Sequence, residues 1–363
     1  MTHTKHLQAG IGHVHACGCH PEPTSRRGFL GGLSALGAGA LLPGCTSMSQ
    51  TPVAIKNRID THHHFWAPSL IGEMKARNIA EPPALNWTLA RTLDDMDKAG
   101  VATAILSVTT PGVSAFDAPT ARKLARESNE YAARLSGDHN GRFGSFAMLP
   151  IQDIDASLRE IEYALDTLKA DGIGLLTSYG DKWLGHPSFA PVMQELNRRK
   201  AILYTHPTVA NCCSGLLPDV PPTVIEFGTD TSRTIVNIVF SGSAIRYPDI
   251  RFIFSHAGGT LPFLTERLIR MPVIDRKLAV HVPNGVLHEL KRFYYDTAWT
   301  ANPHALSSLL QLVPVQQVLF ASDYPYRTSE DNVKGLIAYG FSPGDLDTIW
   351  RGNAQKLLPR LRG

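Results

Sequence analysis

The sequence predicts an α/β protein, a (β/α)8 barrel of the TIM type, on three observations. From about residue 53 onward, short β-rich runs alternate with amphipathic stretches, eight pairs in succession over some three hundred residues. No Gly-rich dinucleotide loop follows the first β-like run, which disfavours the main rival, an open doubly wound sheet. Several β-like runs end in one His or Asp followed at once by loop residues, as strand ends do when they gather at a barrel mouth.

Taken in order, the first β-like run is 54–64, ending in "IDTHHH". It is followed by 102–108 ("ATAILSV"), 143–149 ("FGSFAML") and 174–177 ("GLLT"). Then come 201–206 ("AILYTH"), 251–256 ("RFIFSH"), 293–296 ("FYYD") and 318–323 ("VLFASD"). Each is short and rich in branched or aromatic side chains, as suits a strand buried on both faces. The helix-like stretches between them are 90–99, 119–135, 154–170, 187–199, 231–241, 260–270, 303–312 and 329–339, and 343–350 and 353–361 close the chain. Two long connections, 66–88 and 207–230, leave the predicted C-terminal mouth, where loops shape pockets.

Residues 1–50 read as a leader and 51–363 as the barrel domain. "SRRGFL" precedes an uncharged Gly- and Ala-rich run too short and too weakly apolar for a membrane span, a pattern similar to a twin-arginine (Tat) export signal. Export would place the protein in the periplasm. "LLPGC" puts Cys45 where a lipoprotein signal is cleaved and lipidated, so a membrane anchor there is one outcome and simple cleavage nearby another. His13, His15, Cys17, Cys19 and His20 precede the arginines in a spacing that matches no closed zinc module.

The formal charge of +3 is nearly used up by the leader, which contributes +2 over residues 1–44. The barrel therefore carries no basic stripe, and nucleic acid is excluded as an expected partner. Beyond the leader only Cys45, Cys212 and Cys213 remain, too few for a disulfide framework. The adjacent pair in "NCCSG" reads as two reduced thiols in a loop without an assigned role.

Residues two apart on a strand share a face, so His62 and His64 point together into the barrel and His63 points to the helix layer. His206 ends the fifth run, His256 the sixth and Asp323 the eighth. Four of eight strand ends carrying metal-competent or titratable groups point to a metal site at the mouth.

This set resembles the amidohydrolase superfamily over residues 59–358, a fold of metal-dependent hydrolases. "MDKAGV", "SHAGGTLPFL", "FASDYPY" and "GNAQKLLP" are similar to segments of aminocarboxymuconate-semialdehyde decarboxylase and its relatives, and "DTSRTIVNIVFSG" looks most like methylsalicylate decarboxylase. The resemblance implies one divalent ion on His62, His64, His206 and Asp323, zinc first, with manganese or iron acceptable to the same donors. The nearest lysine to strand 4, Lys182, lies several residues out along the loop, which favours one metal over two. The implied reaction is non-oxidative decarboxylation of a hydroxylated aromatic acid, with His256 and Asp323 as the proton-transfer pair. Hydrolysis of a lactone or amide by a metal-activated water is the alternative on the same ligands, and a binding protein on a retired enzyme fold is a third reading. Arg267 is the expected carboxylate fork; in the resembling enzymes an arginine at this spacing reaches a neighbouring subunit's substrate, implying a homodimer or larger homo-oligomer. Trp66, Tyr179 and Tyr326 follow strand ends and are expected to line an aromatic pocket.

Overall fold

A computed structural model describes residues 57–362. The leader, the twin arginine and Cys45 lie outside the described residues. Eight strands form the barrel: β1 (Arg58–His64), β2 (Val101–Ser107), β3 (Phe143–Met148), β4 (Gly172–Leu176), β5 (Ile202–His206), β6 (Arg251–Phe254), β7 (Tyr294–Asp296) and β8 (Val318–Leu319). They lie side by side in chain order and every pair is parallel. The chain just beyond β8 returns to β1 through Thr61 N–H to Phe320 O at 3.0 Å, Asp323 N–H to His62 O at 2.9 Å and His64 N–H to Tyr324 O at 2.8 Å.

Around the sheet run α1 (Pro68–Ala76), α2 (Pro82–Asn86), α3 (Leu89–Lys98), α4 (Ala118–Asp138), α5 (Ile154–Glu162) and α6 (Ala190–Arg198). They are followed by α7 (Glu226–Phe240), α8 (Leu261–Ile274), α9 (Pro303–Leu312) and α10 (Ser329–Tyr339). Thr88, Asp117, Asp153, Asn302 and Thr328 each accept a backbone N–H in the first turn of the helix they precede, so short polar side chains set where five helices begin. Among the described residues, no helix is long and apolar enough to cross a membrane.

The barrel interior is apolar at its base, where Ile59, Ile105, Ile202, Ile253 and Leu319 meet Leu357 and Leu358 of the C-terminal segment. Above them Phe146 stacks on Tyr204 with ring centroids 5.1 Å apart, and Tyr204 reaches within 5.3 Å of the His62 ring. A packed aromatic floor thus lies directly under the histidines at the mouth.

Five local expectations change. The connection 66–88 is not plain loop: Pro68 and Pro82 open α1 and α2, which bury Leu70, Met74 and Ala84. The helix expected from residue 231 starts at Glu226, and ladder pairing in β6 and β8 stops at Phe254 and Leu319, short of His256 and Asp323. Beyond β4 an antiparallel hairpin pairs Ser178 with Trp183 and Tyr179 with Lys182. Near its end the long stretch 154–170 changes from α5 to a π turn at Tyr163–Thr167.

Candidate metal centre and active site

β1 delivers His62 and His64 into the barrel, both fully buried, as the two-residue period requires. His63 faces away: its Nδ1 donates to Asp60 Oδ2 at 3.0 Å and its ring stacks on Tyr324 at 4.8 Å. Asp60 also accepts the backbone N–H groups of His62 and Ser322, both at 3.0 Å, and so ties β1 to the segment that carries Asp323.

His62, His64, His206 and Asp323 come together with one ligand atom each, all within 4.8 Å of one another. His62 Nε2 lies 3.0 Å from His64 Nε2 and 3.0 Å from Asp323 Oδ1, and His64 Nε2 lies 2.8 Å from that same oxygen. The opposite ring nitrogens are all committed. His62 Nδ1 donates to Asp296 Oδ2 at 2.9 Å, His64 Nδ1 to Ser107 O at 3.1 Å, and His206 Nδ1 to Pro207 O at 2.8 Å. Carbonyls and carboxylates can only accept, so each Nδ1 carries its proton and each neutral ring turns an Nε2 lone pair inward. Three lone pairs and a carboxylate oxygen then converge, an arrangement that suits a positive charge at that point. These donors fit a single divalent ion held by three imidazoles and one carboxylate.

The electrostatics agree. Burial drives His206 well below the usual imidazole range, helped by the neighbouring His64 and His62, and burial likewise lowers His64. Burial works against charge on His62 too, but the Asp323 and Asp296 carboxylates outweigh it and raise that ring to about 10. For Asp323 burial acts upward, yet His62, His256 and His64 hold its carboxyl well below the ordinary range. Asp323 is therefore ionised, and the positive charge beside it is the second His62 proton in the metal-free protein, a proton that a divalent ion on the same Nε2 would displace.

His256 sits at the rim of this cluster, its Nε2 3.4 Å from Asp323 Oδ2 and its ring centroid 5.1 Å from that of His62. Both His256 (φ 54°) and Asp323 (φ 68°) adopt left-handed backbone, uncommon among non-glycine residues although Asp and His are among the types that tolerate it. These turns carry both side chains off the sheet ladder, where they face one another across the mouth.

Trp66 and Tyr326 flank His64, with centroids 6.4 and 5.8 Å from its ring. Trp66 is buried among Ala67, Leu70 and Met74, so it backs the site, whereas Tyr326 is half-buried and faces it. Tyr179 lines a cavity of about 20 Å³ together with Thr109, Met148 and Leu176. Thr109 Oγ1 is 3.4 Å from His206 Nε2, which puts that cavity beside the ligand cluster. Arg267 is exposed on α8, and among the described residues no hydrogen bond or ion pair joins it to the cluster. Lys182 lies exposed on the hairpin beyond β4. Cys212 is exposed, Cys213 is buried, and both are free thiols.

A model of the amidohydrolase family matches residues 59–360, nearly the whole barrel. The chain belongs to the amidohydrolase family. This amidohydrolase is 38% identical over 328 residues to a decarboxylase of Penicillium terrestre, an alignment spanning 84% of this chain and 96% of that protein. It is 35% identical over 317 residues to the 6-methylsalicylic acid decarboxylase of Penicillium expansum, spanning 84% and 97%. The amidohydrolase fold matches the solved 5-carboxyvanillate decarboxylase of Novosphingobium aromaticivorans, complexed with manganese and 4-hydroxy-3-methoxy-5-nitrobenzoic acid, with a TM-score of 0.73, 23% identity and coverage of 84% and 96%.

Sequence reasoning missed Asp296. Its Oδ2 accepts a hydrogen bond from the His62 Nδ1–H while its Oδ1 accepts the His256 N–H at 2.8 Å and the Ala298 N–H at 3.1 Å. The signal was present: "FYYD" ends strand seven in a carboxylate as "VLFASD" does beyond strand eight. Ser107 and Pro207 act through their carbonyl oxygens, and no side-chain pattern announces that role.

Proposed function

We propose that this amidohydrolase is a metal-dependent, non-oxidative decarboxylase of a hydroxylated aromatic acid that carries a hydroxyl beside its carboxylate. The observation that carries the reading is His256 facing Asp323 at 3.4 Å across the rim of a four-ligand centre. Binding alone needs no such pair, and relatives matched over almost their entire length are named decarboxylases.

A divalent ion on His62, His64 and His206 Nε2 and Asp323 Oδ1 would supply a Lewis-acid centre for the substrate's carboxylate and adjacent hydroxyl. Zinc is our first assignment from the donor set; a solved decarboxylase of the same fold holds manganese, and both suit these ligands. His256 Nε2 stands where it can pass a proton, with Asp323 Oδ2, to the ring carbon bearing the carboxylate. That carbon gains hydrogen, its bond to the carboxyl carbon breaks, carbon dioxide leaves, and the electron pair of the broken bond restores the aromatic ring. Tyr326 and the residues around Tyr179 would border the ring, and the packed floor of Tyr204 and Phe146 excludes water from beneath it.

Two further parts of the proposal rest on other features. Assembly with a second copy is supported by α8, where Phe263, Val273 and Ile274 are 86%, 80% and 73% exposed on the helix that also presents Arg267. Light scattering that gives a monomer at micromolar concentration would remove that part. Export through the twin-arginine route, with an anchor at Cys45, rests on the sequence of residues 1–50.

The test is mass spectrometry of products from the metal-loaded protein, offered ortho-hydroxy aromatic acids and aromatic lactones. Loss of carbon dioxide, abolished by His256→Asn, is the expected result. Addition of water to a lactone with no decarboxylation would overturn it.

A further inference from the structure

Asp230, which opens the "DTSRT" run, is fully buried on α7 and takes no part in the centre described above. Its carboxylate accepts three hydrogen bonds from the segment beyond β4. One oxygen takes Thr177 Oγ1 at 2.5 Å and Ser178 Oγ at 2.9 Å, and the other takes Trp183 Nε1 at 2.6 Å. An indole N–H can only donate, and Thr177 Oγ1 is itself the acceptor for the Thr208 N–H at 3.2 Å, so its own proton turns to Asp230. Both oxygens must therefore accept. A carboxylate meets that demand, and an amide of the same shape would set an NH2 against a donor.

The segment so held is the wall of the mouth. Ser178 and Trp183 are paired ends of the hairpin, and Tyr179 stands between them with its hydroxyl accepting the Leu176 N–H at 2.9 Å. Tyr179 borders the small cavity beside His206 and also an outer groove of about 520 Å³, where Gln152, Ser178, Lys182, Thr208 and Asn211 offer polar groups. Thr177 adds a second tie, donating its N–H to His206 O at 2.9 Å.

We infer that Asp230 is a positioning residue for substrate entry: it clamps the Ser178–Trp183 hairpin so that Tyr179 stands as a partition between the polar outer groove and the inner cavity. An acidic substrate meets Lys182 and the amides of the groove first and passes Tyr179 to reach the ligand cluster. This assignment rests on reading the mouth as the substrate pocket. The clamp itself does not depend on which reaction occurs there.

The experiment compares metal-loaded parent, Asp230→Asn and Trp183→Phe, which deletes one donor and leaves the charge. Hydrogen exchange across residues 178–183 reads the clamp, and steady-state kinetics with an ortho-hydroxybenzoate read its consequence. Asp230→Asn should exchange about tenfold faster in the hairpin and raise KM about tenfold, with kcat within about twofold and metal content unchanged. Trp183→Phe should lie between, and it carries the same test if Asp230→Asn does not fold. Unchanged hairpin exchange would overturn the clamp. Unchanged KM with lowered kcat and lost metal would instead place the effect of Asp230 on His206 and overturn the role in entry. A parent that turns over no carboxylate defeats the proposed reaction, while the exchange comparison still decides the clamp.

Discussion

Asp296 Oδ2 lies 2.9 Å from His62 Nδ1, and through that contact a residue on β7 fixes which nitrogen of a β1 histidine faces the centre. The other Asp296 oxygen holds the His256 N–H at 2.8 Å. One carboxylate thus orients a ligand and the proposed proton donor together. Asp296→Asn keeps the shape but turns an NH2 either toward the His62 Nδ1–H or toward the His256 and Ala298 N–H groups. Metal affinity should fall about 10- to 100-fold with the fold retained. Titration against a competing chelator measures this; an affinity equal to the parent's would refute the coupling.

Removing the metal should abolish turnover, and restoring a divalent ion should recover it. Because the ion binds the folded state, an excess of about a thousandfold over Kd adds about 4 kcal/mol of stability, or several degrees in Tm. His62→Ala and Asp323→Ala should each lose both the stoichiometric metal and the metal-dependent shift. Elemental analysis showing full occupancy in either variant would break the ligand assignment.

Gly259 sits at φ 67° in the turn after His256, where an added Cβ would run into the backbone carbonyl of Gly228 at the start of α7. Backbone cannot swing aside as a side chain does. Gly259→Ala should cost about 2 to 4 kcal/mol, from the positive-φ strain on a residue with a Cβ and the forced backbone shift together. Chemical denaturation reads the cost, and a change below about 0.5 kcal/mol would show that the turn yields.

Glu195 on α6 pairs with Arg198 at 2.7 Å and Arg199 at 2.5 Å, and Arg198 above all draws its carboxyl down to about 2. A folded-state value below the unfolded one stabilises at pH above the unfolded value, and that contribution is lost as pH falls toward about 2. Solvent screening at this partly exposed site keeps the gain under about 1 kcal/mol. Glu195→Gln should therefore lower stability slightly at pH 7 and leave it unchanged near pH 2. An equal loss at both pH values would contradict the ion-pair origin.

Much of the site was legible because barrel chemistry lives at strand ends. The two-residue period put His62 and His64 on one face, and isolated polar residues closing apolar runs marked His206, His256 and Asp323. Asp296 closes its run in the same way, and it escaped because it meets the centre through the outer nitrogen of His62, a contact that no local pattern marks. The Ser178–Trp183 hairpin escaped because two-residue strands lack a recognisable alternation.

The sequence by itself determined the barrel, the inward pair on β1 and the placing of His206, His256 and Asp323 at the mouth beside it, while the family resemblance implied which of these join the ligand set. Those follow from local periodicity and from the fold's gathering of strand ends at one face. Only the tertiary structure decided which ring nitrogens face inward, that His256 and Asp323 meet across left-handed turns, and that Asp230 clamps the wall of the mouth. Hydrogen bonds linking residues such as His62 with Asp296, or Thr177 with Asp230, are set by how the closed barrel brings distant loops together, and no local pattern in the chain encodes that geometry.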